Sequence, residues 1–253
     1  MAVPSSVTLH SLIVRYGNFL FRYRSSLFFG AYIVLFAGFR PVALFGEWRL
    51  DYYFDLLGLF IAALGQTLRV AVIGLTYIIR GGHNHQVHAE TLVTQGIFAH
   101  VRNPLYEGNL LIILGLFIIH NNPWVYLLGL AFFLSAYSAI VAAEEAFLTQ
   151  KFGAEYDAYC ERTRRWWPNF RGLRKTISAM RFNWRRVLVK DYSSSYTWMV
   201  AAVILMAYEE ALAKNWGGAV PGLERLGGVL VLLTVLMLTI RYLKKNRILT
   251  DRM

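Results

Sequence analysis

The sequence predicts an all-α protein that crosses a membrane about six times, and three observations lead there. Apolar residues make up 57% of the 253 and charged residues only 16%, against roughly 45–50% and about 25% in an average soluble domain. Long apolar runs recur along the chain. The basic residues, 26 Lys and Arg against 15 Asp and Glu for a net charge of +11, gather between and after those runs. Such a balance suits either nucleic acid or anionic lipid. The apolar runs decide for the membrane, and no nucleic-acid partner is expected.

A helix needs about 20 mainly apolar residues to cross roughly 30 Å of hydrocarbon. Runs that qualify lie at about 27–46, 53–79, 105–120, 123–143, 196–213 and 223–242. The third and fourth are joined by Asn121-Asn122-Pro123, a turn short enough to require an antiparallel hairpin. No secretory signal peptide is expected, because Arg15, Arg22 and Arg24 precede the first run without a small-residue cleavage pattern. The lone cysteine, Cys160, forms no internal disulfide.

Residues 151–190 carry eleven Lys or Arg, and five more follow residue 240. With six spans these segments share a side with the N-terminus, which the positive-inside tendency makes cytoplasmic, in a bacterial inner membrane or the endoplasmic reticulum. Arg40 and Arg49 fall on the opposite side in this arrangement. Residues 170–192 mix basic with apolar and aromatic side chains, as an interfacial amphipathic helix does, either connecting spans along the lipid surface or capturing anionic lipid. The expected organisation is an N-terminal segment with the first span (1–51), a core (52–169), and a basic interfacial segment followed by a terminal hairpin of two spans (170–253).

Polar and aromatic residues interrupt the apolar pattern in two places. From Thr91 to Gly108 the chain holds Gln95, Gly96, Arg102, Asn103, Pro104, Tyr106 and Gly108. Arg102 is a planar cationic fork suited to a carboxylate or phosphate. Pro104 suits the first turn of the third span, and Asn103 suits a cap whose side chain accepts a backbone N–H. Gly108 lets a ligand or a neighbouring backbone come close. A capped helix start with a snorkelling Arg explains the same residues.

The second stretch begins with Glu144-Glu145 at the end of the fourth span. At least one of these carboxylates needs a partner if it faces lipid, and a solvated helix end is expected of Glu144 more than of Glu145. Phe152-Gly153 reads as a helix stop. Tyr156 and Tyr159 share a helical face, suited to a cationic, planar ligand. In the second span, Gln66 and Arg69 form a polar spot inside the membrane. Arg69 serves either a buried structural pairing, with Glu145 or a backbone carbonyl, or a head-group or cofactor contact. His83, His85 and His88 lack a completing ligand, and no metal is expected.

Leu92-Val93-Thr94-x-Gly96-x-Phe98-x-x-x-Arg102-Asn103-Pro104-x-Tyr106-x-Gly108, followed by Glu145, Leu148, Phe152-Gly153, Tyr156, Tyr159 and Pro168, resembles the integral-membrane methyltransferases of the isoprenylcysteine carboxyl methyltransferase and phospholipid methyltransferase superfamily. Asn84-His85-x-Val87 also resembles the segment before the motif. The resemblance covers about 52–169, and departs at Asn103 and Glu90, where the carboxyl methyltransferases carry His. It implies S-adenosyl-L-methionine in a cytoplasm-facing pocket, held by residues among Gln95, Gly96, Asn103, Pro104, Tyr106, Gly108, Glu144, Glu145, Tyr156 and Tyr159. It further implies Arg102 and Glu145 at the chemistry, Arg69 and Arg102 at the substrate, and a membrane lipid or lipidated acceptor. The acceptor is a phospholipid amine or an isoprenylcysteine-type carboxylate, and the oligomeric state is open. The alternatives are an NADPH-dependent membrane reductase of the sterol reductase type, or a non-catalytic membrane protein.

Overall fold

A computed structural model describes residues 8–76, 89–214 and 218–250. Among these there is no strand, and eight α-helices follow one another: α1 Leu9–Gly38, α2 Trp48–Leu75, α3 Pro104–His120, α4 Leu130–Phe152, α5 Ala154–Arg162, α6 Leu173–Ser178, α7 Trp184–Ala213 and α8 Val220–Lys245. A π-turn, Val125–Gly129, leads into α4. Among the described residues five helices are long and apolar enough to cross a membrane, counting the π-turn with α4. The sixth apolar helix, α3, has 17 residues, about 25 Å at 1.5 Å per residue, and lies at the centre of the bundle.

Glycine sets how the bundle is packed. On α2, Gly58 and Gly65 lie against Gly115 and Gly108 of α3: a Cβ on Gly58 would stand 2.6 Å from the Gly115 carbonyl oxygen, and one on Gly65 2.5 Å from that of Gly108. Small residues at this spacing let two backbones meet, and in a bilayer such packing, rather than apolar burial, holds helices together. Gly108 therefore serves the α2–α3 contact. Helix α1 lies antiparallel along α4, with Gly17 over Ala139 and Ala143 and Leu35 beside Gly129. Aromatic rings fill the space between α1 and the α3–α4 pair, Phe28 meeting Phe133 at 5.2 Å and Tyr137 at 5.3 Å. Helix α7 packs on α2 and α3, and α8 on α7.

Several boundaries differ from the expected ones for physical reasons. The first span runs from Leu9 to Gly38 rather than from 27 to 46, because the chain turns extended at Phe39 before Arg40-Pro41, and Arg24 is accommodated inside the helix with its guanidinium 4.4 Å from the Phe21 ring. Arg40 thus lies in a loop and Arg49 in the first turn of α2. The fourth span continues to Phe152, where Gly153 takes φ +51°, so Glu144 and Glu145 lie two turns inside the helix. The amphipathic stretch 170–192 is not one helix. It breaks after Ser178, and the Asn183 side chain caps a new helix by accepting from the Arg186 N–H at 2.9 Å. Residues 184–195 are therefore the first three turns of the fifth span. The hairpin between α3 and α4 forms as read, with Asn121 left-handed at φ 45° and the Asn122 carboxamide accepting from the Trp124 N–H.

Candidate active site

A cavity of about 1030 Å³ runs from the turn before α3 into the bundle. Its polar end is built by Arg102, Asn103, Tyr106, Glu144, Glu145, Tyr156 and Tyr159. Its depth is walled by Phe28 and Tyr32 of α1, Ile112 and Leu116 of α3, and Trp198 and Ala201 of α7. That volume lies at the top of the range for small-molecule sites, roughly 300–1,000 Å³.

At the polar end Glu145 lies between two guanidiniums. Arg165 is hydrogen-bonded to its Oε2, and Arg102 faces its Oε1 at 3.4 Å without hydrogen-bond geometry. Arg102 also donates to Cys160 Sγ, and its own N–H is fixed by the Arg164 carbonyl at 2.9 Å. Arg102 is thus turned inward, its side chain only 14% exposed, unlike a snorkelling residue at a capped helix start. Burial works against its charge, yet Glu145 and Cys160 outweigh that and leave its pKa raised. The guanidinium is a permanent cation here.

Asn103 does not cap α3 with its side chain. The carboxamide instead donates to the Arg165 carbonyl at 3.1 Å, tying the helix start to the segment after α5. Pro104 occupies the first turn of α3 as expected. Glu144 is not a solvated helix end: it accepts the Tyr106 hydroxyl at 2.7 Å, because α4 continues past it and places it against α3. Tyr156 and Tyr159 are both buried, their ring centroids 6.0 Å apart, and the Tyr159 hydroxyl donates to the Phe98 carbonyl at 2.7 Å. Burial raises both phenols far above their ordinary pKa, with Glu145 adding for Tyr156 and Arg102 opposing for Tyr159. Both remain neutral at physiological pH.

Arg69 is buried on the cavity wall, where it pairs with Asp191 of α7 and donates to Asn109 of α3. Its partner is therefore neither Glu145 nor a backbone carbonyl. Gln66 joins the same network, donating to Asp191 Oδ2 at 2.9 Å and accepting from Trp198 Nε1 at 2.9 Å. Gln95, Gly96 and Gly108 stand away from the cavity lining. Gln95 is exposed, Gly96 makes a turn at φ +66° against Met180, and Gly108 meets α2. His83, His85, His88 and the Asn84-His85-x-Val87 match lie outside the described residues. Asp191, Asn109 and Arg24 also bear on the site, although the sequence did not single them out. One signal for Asp191 was present: it is the only acidic residue between Glu161 and Glu209, and an intramembrane Arg requires a counter-charge.

Together, fold and cavity define a helical membrane protein with a ligand-sized site at one end of the bundle. Residues 54–155 match the phospholipid methyltransferase family, which bears out over that segment the resemblance carried by the motif. Two rice proteins, from Oryza sativa subsp. indica and subsp. japonica, are each described as "Probable protein-S-isoprenylcysteine O-methyltransferase". Each is 28% identical to this chain over 124 residues, which is 47% of this chain and 63% of the relative. The chain thus spans about 63% of the length of these curated relatives. No solved structure matches.

Proposed function

We propose that the protein transfers a methyl group from S-adenosyl-L-methionine to a lipid or lipid-modified acceptor at the cytoplasmic membrane face, with both termini on that side. The observation that carries this reading is the polar end of the cavity. There the Arg102 Nε and the Glu145 Oε1 are buried without hydrogen-bond partners in the chain, beside Tyr156 and Tyr159. A buried donor and a buried acceptor left without hydrogen bonds within one ion pair suit a ligand that supplies both an acceptor and a donor. The amino-acid end of the cofactor does, and its adenine suits the tyrosine face.

When bound, S-adenosyl-L-methionine supplies an electrophilic methyl on a sulfonium. The chain's task is then alignment in a dry electrostatic setting. Arg102, fixed through its backbone and through Cys160, holds a carboxylate. Glu145, restrained by Arg165, accepts from ammonium or ribose hydroxyls. Asn103, Pro104 and Tyr106 form the wall, and Tyr106 orients Glu144. The apolar depth keeps water from the reacting atoms and takes the acceptor's chain. Gln95, Gly96 and Gly108 serve the pocket by shaping its surroundings.

The test is a thermal-shift titration of the detergent-purified protein with S-adenosylhomocysteine and with NADPH. It is followed by transfer of labelled methyl from the cofactor into a lipid extract of the host. Stabilisation by S-adenosylhomocysteine and label in the lipid fraction are expected. Stabilisation by NADPH alone would replace this reading with a reductase, and stabilisation by neither would remove the enzyme reading.

A further inference from the structure

At the opposite end of the bundle a second cavity, of about 340 Å³, lies between the start of α2, the end of α7 and the start of α8. Asn121, at the end of α3, donates to Asp51 Oδ1 at 3.2 Å. Asp51 is therefore level with the end of α3 that is remote from Arg102, across a helix of 17 residues, about 25 Å at 1.5 Å per residue. Five charged side chains line this cavity: Asp51, Asp55, Glu209, Glu210 and Arg225. Glu210 pairs with Lys214 at 2.7 Å. Arg225 is exposed, and its Nε donates to the Pro221 carbonyl at 3.2 Å. Even with one carboxylate set against Arg225, two remain without a basic partner among the described residues.

These carboxylates are not a solvated helix end. Asp51 is 2% and Glu209 4% exposed. Among the described residues no basic, amide or alcohol group donates to Asp51 Oδ2, Asp55 Oδ1 or either oxygen of Glu209. Buried acceptors left so are costly, the more so when charged, and inside a membrane they mark a site. Asp55 of α2 and Glu209 of α7 stand side by side, and two carboxyls so placed hold either a shared proton or a cation between them. The rest of the lining points to the kind of cation. Among the described residues no group of three acidic, His or Cys side chains is placed to hold a metal ion. The volume is at the low end of the range for small organic ligands, roughly 300–1,000 Å³. Trp48 and Tyr52 supply aromatic surface and Met206 and Leu226 apolar surface. An ammonium group has three diverging N–H donors that reach separate carboxylates, and aromatic faces attract its charge.

We infer that this second cavity binds an organic ammonium ion, its N–H groups donating to Asp55 and Glu209 and its carbon skeleton lying against Trp48, Tyr52 and Met206. Asp51, fixed through Oδ1 by the Leu44 N–H and by Asn121, offers Oδ2 as a third acceptor. The ammonium takes the place of the proton that the Asp55–Glu209 pair otherwise shares, and that proton passes to water. No covalent bond of the ligand is made or broken. The inference does not depend on the methyl-transfer reading, because it concerns the other end of the bundle. The same ammonium chemistry is offered by a free amine and by the head group of an amine-bearing lipid.

The experiment titrates the detergent-purified full chain with butylammonium chloride and follows its thermal midpoint, with tetramethylammonium, sodium and calcium chlorides at matched ionic strength for comparison. Native mass spectrometry, after reconstitution into phosphatidylcholine vesicles containing phosphatidylethanolamine, reads the lipid retained. Wild type should show saturable stabilisation by butylammonium, less by tetramethylammonium, which has no N–H, and none by sodium or calcium. Glu209→Gln and Asp55→Asn should each raise the Kd for butylammonium about tenfold or more. Neither should lower the midpoint without ligand, because each removes a buried charge that has no basic partner. Tyr52→Leu, at a position 56% exposed and so of little weight in folding, should raise the Kd about two- to fivefold. Stabilisation by S-adenosylhomocysteine should be the same in all three variants as in wild type. Phosphatidylethanolamine retained by wild type and lost in Glu209→Gln would support a lipid source; a butylammonium response without that loss would support a free amine. Stabilisation by sodium or calcium equal to that by butylammonium would overturn the inference, as would a butylammonium response unaltered in every variant. Absence of any ammonium response together with lipid retention unchanged in Glu209→Gln would also overturn it, leaving a shared proton between the two carboxyls.

Discussion

Substituting Asp191→Asn removes the counter-charge of Arg69 while keeping the shape and hydrogen-bonding atoms of the side chain. The two partners are 4% and 0% exposed, so the remaining guanidinium cannot regain hydration without moving α7. Breaking a buried pair by removing one partner costs about 3–5 kcal/mol. At roughly 2–4 °C per kcal/mol for a chain near this size, the thermal midpoint should fall by about 6–20 °C. The double variant Arg69→Gln/Asp191→Asn removes both charges of the pair and keeps donors and acceptors for Gln66 and Asn109, so it should recover most of the loss. Thermal denaturation in detergent, followed by fluorescence-detected size exclusion, reads both. The stabilising effect of S-adenosylhomocysteine should persist in each, because the contacts that define the pair run to Gln66 and Asn109 and the proposed cofactor contacts come from other side chains. A single variant with an unchanged midpoint, or a double variant as unstable as the single, would refute the pairing as the bond that fixes α7 to the core.

Arg102→Lys keeps the cation and loses the planar fork; its midpoint should hold while methyl transfer falls roughly a hundredfold, the cost of misplacing reactants by about 1 Å. A near wild-type rate would return Arg102 to a structural role. Gly65→Ala places a methyl 2.5 Å from the Gly108 carbonyl oxygen, and should destabilise by about 1–3 kcal/mol or more. Gly30→Ala, with nothing within 4 Å, should be neutral or stabilising by up to about 1 kcal/mol; equal effects of the two would contradict the glycine contact. In a Cys160→Ser background, a cysteine replacing Phe45, which is 88% exposed between α1 and α2, should react with a membrane-impermeant reagent in intact cells. One replacing Arg171 should not, and the reverse pattern would invert the proposed orientation.

The spans were legible because hydropathy reports what lipid requires, and α3 and the Asn121-Asn122 hairpin lie where the sequence places them. Ends were less legible. A helix stops where its backbone is turned, at Phe39 or Gly153, rather than where its composition changes. Thus Glu144 and Glu145 read as terminal although they lie within α4. The site's polar end was readable because one local motif supplies Arg102, Asn103, Pro104 and Tyr106, and a second supplies Glu145, Tyr156 and Tyr159. The Arg69–Asp191 pair spans 122 positions, and local pattern carries no information about which distant helix supplies a counter-charge. Gly108 was open to a ligand or a neighbouring backbone, because the sequence shows that something must come close without showing what; the structure places the α2 backbone there. The inward turn of Arg102 depends on Arg164 and Cys160, which arrive from beyond α4.

Division of the cavity between matched and unmatched sequence has a consequence for how such a site acquires selectivity. The family match ends at residue 155 and begins at 54, so α1 and α7 both lie outside it. The polar end, where the proposed cofactor is held, comes largely from the matched segment. The membrane-side wall comes from Phe28 and Arg24 on one flank and Ser193, Ser194 and Trp198 on the other. A methyl donor is the same molecule whatever the acceptor, and the residues that align it are constrained by its fixed shape. The acceptor differs below the reacting atom, in whether charge or hydrocarbon follows, and that depth is faced by the flanking helices. Differential affinity among acceptors is a difference of contacts. On this reading, changes confined to the cavity faces of α1 and α7 alter which lipid is methylated while leaving S-adenosylhomocysteine affinity intact, because the residues proposed to hold the cofactor lie on other elements.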